Sequence, residues 1–443
     1  MSDHIFAPGG FDHRNRGDAA LVRSMVVWMG TILPGRTITV TSFFPSRDSG
    51  AFGVPAIDMV TRPTSLYTRA IAGVLRRIPL IGLPLRSVFH VLHVSVCLAA
   101  LRVWVVLFHL IGRGTVGLLP RHVRRVVDEI LRAEYVITVP GGYLIAQRRT
   151  DTGWLYHVPT LALARWLHRA YDLGPCSFGP FVGISRPYAR WVWRNAGRVF
   201  LREQLSANLA RDMGLDLTRV IQTTDLGFFL DPSDDAEQPA CLSSLARAKS
   251  HGRHLFGVSV RDHNFPSDRD PRQAQENYLA GMADAIGDLV DAFPNALPVV
   301  FAQTADDVSV SRDLAHRLES SGVDHLLVLE DLDPLSLMLM LREFELVVGT
   351  RMHACILALR VGVPVIGIAY EPKTPGVLDT VGLADWSIPI ESVHLGALVE
   401  RLLSRWASRL SDVERARVGV DRARAQLLEL ADEFGAAMKR ARS

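Results

Sequence analysis

Lysine is nearly missing from this chain: of 49 basic residues only Lys249, Lys373 and Lys439 are lysines. No Lys/Arg tract runs long enough to follow a nucleic-acid backbone, and the formal net charge is only +3 over 443 residues, so no nucleic-acid partner is expected. Cysteine is scarce as well. Cys97, Cys176, Cys241 and Cys355 are widely scattered and form no Cys-x-x-Cys pair, which argues against a zinc site or a disulfide framework and suits a reducing, cytoplasmic setting. The first ten residues contain Asp3 and His4 and no apolar h-region, so a cleaved secretory signal is not expected. Acidic residues are absent from one whole segment: Met59 to Val127 holds ten arginines and not one Asp or Glu.

That segment wraps the apolar run Ser87 to Ile111, and three readings stay open for it. It is an apolar helix pair packed inside a domain, an apolar surface lying on an anionic membrane with arginines at the headgroups, or a bilayer span. His90, His93, Arg102 and His109 make the span expensive.

With 48% hydrophobic residues the chain has material for two cores, and its length suggests two domains. The polar, acidic, proline-bounded stretch Asp231 to Pro239 reads as the linker. The expected division is an N-terminal α/β domain over 1–235 with an Arg-rich apolar insertion at about 60–125, a C-terminal α/β domain over 245–395, and C-terminal helices over 396–443. Thr37 to Phe44 and Tyr135 to Val139 read as strands with a helix, Val116 to Ala133, between them. Beyond the linker the alternation resumes: strands at 254–260, 297–303, 325–329 and 344–349, helices at 276–293, 309–320 and 334–342, and one amphipathic helix from Asp412 to Arg440. Strand, helix, strand is the signature of parallel α/β layers.

In open parallel sheets, ligands bind beyond the carboxyl ends of the strands. Two such ends carry ionisable clusters. Phe344 to Gly349 stops at Thr350-Arg351-Met352-His353, where Thr350 reads as an N-cap, and Val363 to Ala369 stops at Tyr370 and Lys373. A helix start with an arginine fork suits a phosphate or carboxylate, and the usual right-handed crossover would bring both ends to one rim. Arg202, at the end of Val199 to Leu201, is a second candidate anion ligand. Asp306-Asp307 and Asp331-Leu332-Asp333 read as loop and cap residues, and no metal-ligand spacing is present.

These residues resemble the polysaccharide pyruvyl transferases. The pattern Val348-Gly349-Thr350-Arg351-Met352-His353-Ala354, then Gly362-Val363-Pro364-Val365, then Tyr370-Glu371-Pro372-Lys373 is similar to that family's most specific block. Asn15-Arg16-Gly17-Asp18-Ala19-Ala20, Gly141-Gly142-Tyr143-Leu144, Ser177-Phe178-Gly179-Pro180-Phe181, Arg202-Glu203-Gln204-Leu205-Ser206, Asp225-Leu226-Gly227-Phe228 and Gly257-Val258-Ser259-Val260-Arg261 resemble weaker motifs in the expected order. The chain departs from the pattern at Ala19, Tyr143 and Glu203, where the family has Glu, Gly and Asp.

The resemblance implies two Rossmann-like domains facing a cleft, as in GT-B enzymes. It also implies transfer of a pyruvyl group from phosphoenolpyruvate to two hydroxyls of a sugar, closing a cyclic ketal in a cell-surface polysaccharide or its lipid-linked precursor. The donor is a co-substrate, and no cofactor is expected. Arg351, Arg202, Lys373 and Arg261 would hold the donor's phosphate and carboxylate, and His353 would give the proton its methylene carbon must gain. Asn15, Asp18, Gly141 and Gly142 would line the acceptor side, with Asp18 either a base or a helix cap. Two other functions share the fold: a glycosyltransferase using a nucleotide sugar, and a noncatalytic scaffold in polysaccharide assembly.

Overall fold

The computed structural model describes residues 3–61, 79–232, 236–265 and 268–440. By contact the chain divides into two compact units. The first comprises Met1–His13, Leu21–Asp225 and Ala431–Ser443, the second Arg14–Ala20 and Leu226–Leu430. Every strand pairing in the three sheets of the described residues is parallel.

The first unit runs β1 (His4–Phe11), α1 (Arg16–Ile32, whose first residues count with the second unit), β2 (Thr37–Ser42), α2 (Pro45–Phe52), β3 (Ala56–Asp58), α3 (Pro79–Ile111), α4 (Arg121–Arg132), β4 (Tyr135–Val136), β5 (Gly141–Ala146), α5 (Val158–Trp166), β6 (Tyr171–Phe181), α6 (Ser185–Asn195), β7 (Ala196–Leu201), α7 (Gln204–Asp212) and β8 (Val220–Gln222). Its sheets have the orders β3-β2-β1-β4 and β5-β6-β7-β8. One apolar cluster, with Phe6, Val126, Leu161, Leu173, Trp193 and Val199 at its centre, fills the layer between strands and helices.

Of the Arg-rich insertion, residues 62–78 lie outside the described residues, and so do the side chains of 79–86. The apolar run is one continuous helix, not a pair. From Ser87 to Ile111 no Gly or Pro interrupts it, and it stops where Gly112 takes φ 95°, a conformation open to glycine.

The second unit runs α8 (Cys241–Ser250), β9 (His254–Ser259), α9 (Pro271–Ala292), β10 (Ala296–Phe301), α10 (Val308–Ser320), β11 (Leu326–Val328), α11 (Pro334–Leu341), β12 (Leu346–Gly349), α12 (Met352–Arg360), β13 (Val365–Ala369), α13 (Lys373–Thr380), β14 (Ser387–Pro389) and α14 (Ala397–Arg440, whose end counts with the first unit). Its six strands lie in the order β11-β10-β9-β12-β13-β14, so the chain reverses direction across the sheet beside β9. Near-continuous runs such as Leu346–Gly349 are buried on both faces, as a sheet covered by helices on two sides requires.

Two helix starts follow sequence logic. Asp270 accepts from the amides of Arg272 and Gln273 ahead of Pro271, and Asp333 accepts from Leu335 ahead of α11. The start of α12 does not. Its N-cap is Arg351, with no side-chain cap, because the Thr350 hydroxyl is bonded to Tyr278 Oη at 2.6 Å. The expected linker is tied down at Asp231, which pairs with Arg360 and Arg424 of its own unit.

Candidate functional site

The carboxyl end of the second unit's sheet gathers most of the ionisable side chains singled out above. β9 delivers Ser259 and Arg261, β10 delivers Gln303 and Thr304, β12 delivers Arg351 and His353, and β13 delivers Tyr370 and Lys373. Register fixes this: Gly349 lies opposite Ser259 on one side and Gly367 on the other, so the three strands run out together.

Arg351 is not the open fork its position suggested. Its Nε and Nη2 bind the two oxygens of Asp307 at 2.9 and 2.6 Å, and Nη2 also reaches Thr304 Oγ at 3.3 Å. Asp307 is fully buried, so this bidentate pair neutralises most of the arginine's charge. Burial would lower the Arg351 pKa, but the hydrogen bond and charge of Asp307 outweigh it and raise the value. Asp307 had looked like a loop residue because its partner lies 44 positions away in sequence.

Arg202 differs further from expectation. It is 1% exposed, with Nη1 to Asp225 Oδ2 at 2.5 Å, Nε to Ser177 Oγ at 2.9 Å and Glu203 Oε2 at 3.4 Å. Against the desolvation that lowers it, Asp225 and Glu203 raise its pKa above the ordinary arginine value. A guanidinium sealed between two carboxylates is a cross-link of the first unit and presents no charge to an anion.

Two other cations remain at the second unit's rim. The Arg261 guanidinium lies 3.8 Å from the ring centroid of Tyr370, and Lys373 Nζ lies 5.9 Å from the same ring and 2.6 Å from Glu371 Oε2. Tyr370 is therefore a platform that sets one cation in place by stacking. His263, not foreseen from sequence, joins this group with its ring 5.3 Å from Tyr370. Burial, then the nearby Arg261, lowers its pKa. Between the two clusters' strands, the buried Gln303 amide and Ser259 hydroxyl have no hydrogen-bond partner among the described residues, which marks the strand ends as places where further polar contacts can be made.

The segment Arg14–Ala20, expected on the acceptor side of the N-terminal domain, counts instead with the unit of His353. Arg16 holds it there. Buried at 3% exposure, Arg16 donates from Nε to Leu332 O at 2.8 Å, from Nη1 to Ala302 O at 2.5 Å and from Nη2 to Glu330 O at 2.5 Å. Burial lowers its pKa, against the opposing charges of Asp331 and Asp307.

Asn15 bridges to Thr304, accepts from Gly17 N at 3.2 Å and donates to Asp18 Oδ2 at 2.8 Å. The clamp presses Gly17 onto His353: a Cβ there would stand 2.6 Å from the imidazole Cγ and 2.7 Å from its Cβ. Only glycine fits without moving the half-buried histidine, which explains a motif that sequence alone left without a physical reason.

Gly141 and Gly142 begin β5 in the first unit. Where the family pattern has a third glycine, Tyr143 stacks on His157 with centroids 4.3 Å apart. Sequence spacing showed no metal ligands, yet the structure brings Asp12, His13 and Asp48 within reach of one another at the end of β1. Asp48 is already engaged by His13 Nδ1 at 2.5 Å, the His13 amide at 3.1 Å and the Ser42 hydroxyl, so the group is a carboxylate-held imidazole. Its only sequence signal is the isolated Asp12-His13 step.

The comparisons with known proteins agree with this site's motifs. The family model for polysaccharide pyruvyl transferase matches residues 15–372. The chain belongs to that family. The match starts at Asn15, inside the clamped segment, and ends at Pro372, beside the Tyr370 platform. A curated relative, the amylovoran biosynthesis protein AmsJ of Erwinia amylovora, is 22% identical over 414 residues, covering 90% of this chain and 91% of its own.

Among solved structures, HepE of Anabaena in complex with UDP aligns with TM-score 0.56 at 11% identity over 99% of this chain and 100% of its own. A putative UDP-N-acetylglucosamine 2-epimerase from Listeria monocytogenes aligns with TM-score 0.54 at 11% identity over 95% and 91%. At that identity the likeness shows the fold alone, which is the GT-B-like α/β architecture expected from sequence. This member of the family is thus a transferase of polysaccharide biosynthesis.

Proposed function

We propose that the chain transfers a pyruvyl group from phosphoenolpyruvate to two hydroxyls of a sugar, closing a cyclic ketal, and that the second unit's rim binds the donor. One observation carries the reading: His353 is held in a fixed place by the Arg16-clamped glycine, on the same strand ends that bear Arg261 and Lys373. Phosphoenolpyruvate carries a phosphate and a carboxylate, and Arg261 and Lys373 are the cations suited to them. Arg351 acts chiefly through Asp307, fixing the start of α12 and hence the histidine.

His353 gives a proton to the methylene carbon, the adjacent carbon becomes electrophilic, and the first sugar hydroxyl adds to it. Asp18, in the first turn of α1 next to Gly17, takes the hydroxyl proton. Phosphate leaves with the C–O bond electrons, and the second hydroxyl closes the ketal as its proton is lost. Bound donor dianion favours the protonated imidazole, which couples protonation to binding. The sugar belongs to a cell-surface polysaccharide or its lipid-linked precursor, and the donor's compartment makes the reaction cytoplasmic. No cofactor or metal enters these steps.

The test is phosphate release from phosphoenolpyruvate in the presence of a sugar acceptor. His353→Ala should lose about 10²- to 10⁴-fold in rate. Unchanged release in that variant, or binding of a nucleotide sugar with no effect of phosphoenolpyruvate, overturns the reading.

A further inference from the structure

Helix α3 is apolar on both faces, and among the described residues only one of them is covered. Val94, Leu101, Trp104 and Val105 are buried in the first unit's core, and the Trp104 indole donates to Thr115 O at 3.0 Å. At about 100° per residue the opposite face is a stripe roughly 80° wide made of Val88, Leu92, Val96, Val103, Val106 and Leu110. Each of these six is between 47% and 76% exposed. The stripe runs for about 33 Å. The most apolar 18-residue stretch of Ser87–Ile111 has a mean hydropathy of 2.2, in the range of a membrane span, yet a span would need lipid around the whole helix, and one side is taken by protein.

Arginine is the charge the structure places beside the stripe: Arg102 is exposed on α3 itself, Arg113 is exposed directly after it, and no acidic residue occurs in sequence from Met59 to Val127. At the C-terminal half of α3 lies a groove of about 490 Å³, lined by Arg102, Val106, Leu110, Arg165, Trp166 and Trp191. Arginine and tryptophan together, at the margin of an apolar strip, suit the boundary between headgroups and acyl chains.

We propose that the outer face of α3 docks the protein flat onto an anionic phospholipid bilayer. The stripe enters the acyl boundary, Trp166 and Trp191 sit at its edge, and the arginines meet lipid phosphates. The helix lies in the interface and does not cross. This docking is independent of the donor chemistry, since its test reads no turnover.

The test is flotation of the full chain with phosphatidylglycerol-containing vesicles and with phosphatidylcholine alone. The wild type should float with the former and remain below with the latter. Val96→Glu/Val103→Glu should stay at the bottom of the gradient while keeping its far-UV circular dichroism and melting temperature. Arg102→Gln/Arg165→Gln, at the groove beside the stripe, should lose on the order of 10-fold in partition onto the anionic vesicles. Flotation of the folded double-glutamate variant equal to wild type overturns the proposal. So does a wild type that ignores both vesicles and forms a dimer by light scattering that the glutamates dissolve, because the stripe would then join two copies of this chain.

Discussion

Each unit sets an arginine at the end of a strand, and the two ends have different uses. At the end of β7, Arg202 is sealed with Asp225, Glu203 and Ser177, and its charge is spent within the first unit. At the ends of β9 and β13, Arg261 lies across Tyr370 and Lys373 pairs with Glu371 beside the same ring, and both cations are only half-buried. A strand-end arginine in a family motif is thus no guide to ligand binding until its carboxylate neighbours are known. Burial with a matched carboxylate makes a cross-link, whereas stacking on a ring leaves the guanidinium charge unneutralised.

The contrast can be broken at several points. Arg202→Met should cost about 3–5 kcal/mol, because Asp225 and Glu203 stay buried without their cation; urea unfolding measures it. Arg261→Met should leave the unfolding midpoint nearly unchanged and raise the KM for phosphoenolpyruvate. Equal losses of stability in the two variants would erase the distinction.

Acidification should loosen the first unit next. Burial drives the His157 pKa down to about 3 and that of His90 down to about 4, both from 6.5. The unfolded chain therefore takes up these protons first, and stability that is complete above pH 6.5 falls as pH drops below it. For His157 alone the loss should be about 2–3 kcal/mol by about pH 4.5. The same unfolding curves at stepped pH report it, and His157→Phe should flatten the slope.

Gly17→Ala forces a Cβ into the His353 imidazole, with an expected cost of about 1–3 kcal/mol. The diagnostic readout is kcat, which should fall while the KM for phosphoenolpyruvate holds, since the cations are untouched. The smallest effect belongs to the platform. Tyr370→Leu should weaken donor binding by about 0.5–2 kcal/mol, and Tyr370→Phe, which keeps the ring, should restore it.

Much of the fold was legible because its signals are local. Alternating apolar runs and helices revealed the parallel layers, Asp333 ahead of Pro334 read as a cap residue, and the His353 motif lay where a strand ends, whereas the helix expected from Glu276 starts five residues earlier, at Pro271 behind its Asp270 cap. What escaped depends on distant partners. Nothing near Arg202 in sequence announces Asp225 as its mate, and nothing near Arg351 announces Asp307. Thr350 looked like a cap until Tyr278 claimed its hydroxyl. Gly17 and Arg16 showed their purpose only once the carbonyls of Ala302, Glu330 and Leu332 and the ring of His353 were in place around them.

The most direct measurement is the dissociation constant of phosphoenolpyruvate for the wild type and for Arg261→Gln/Lys373→Gln, by titration calorimetry. With two charge-assisted contacts removed from the rim, each worth about 1.5–3 kcal/mol, binding should weaken at least about 100-fold while the fold is kept. An unchanged constant in the folded double variant would contradict donor binding at the second unit's rim.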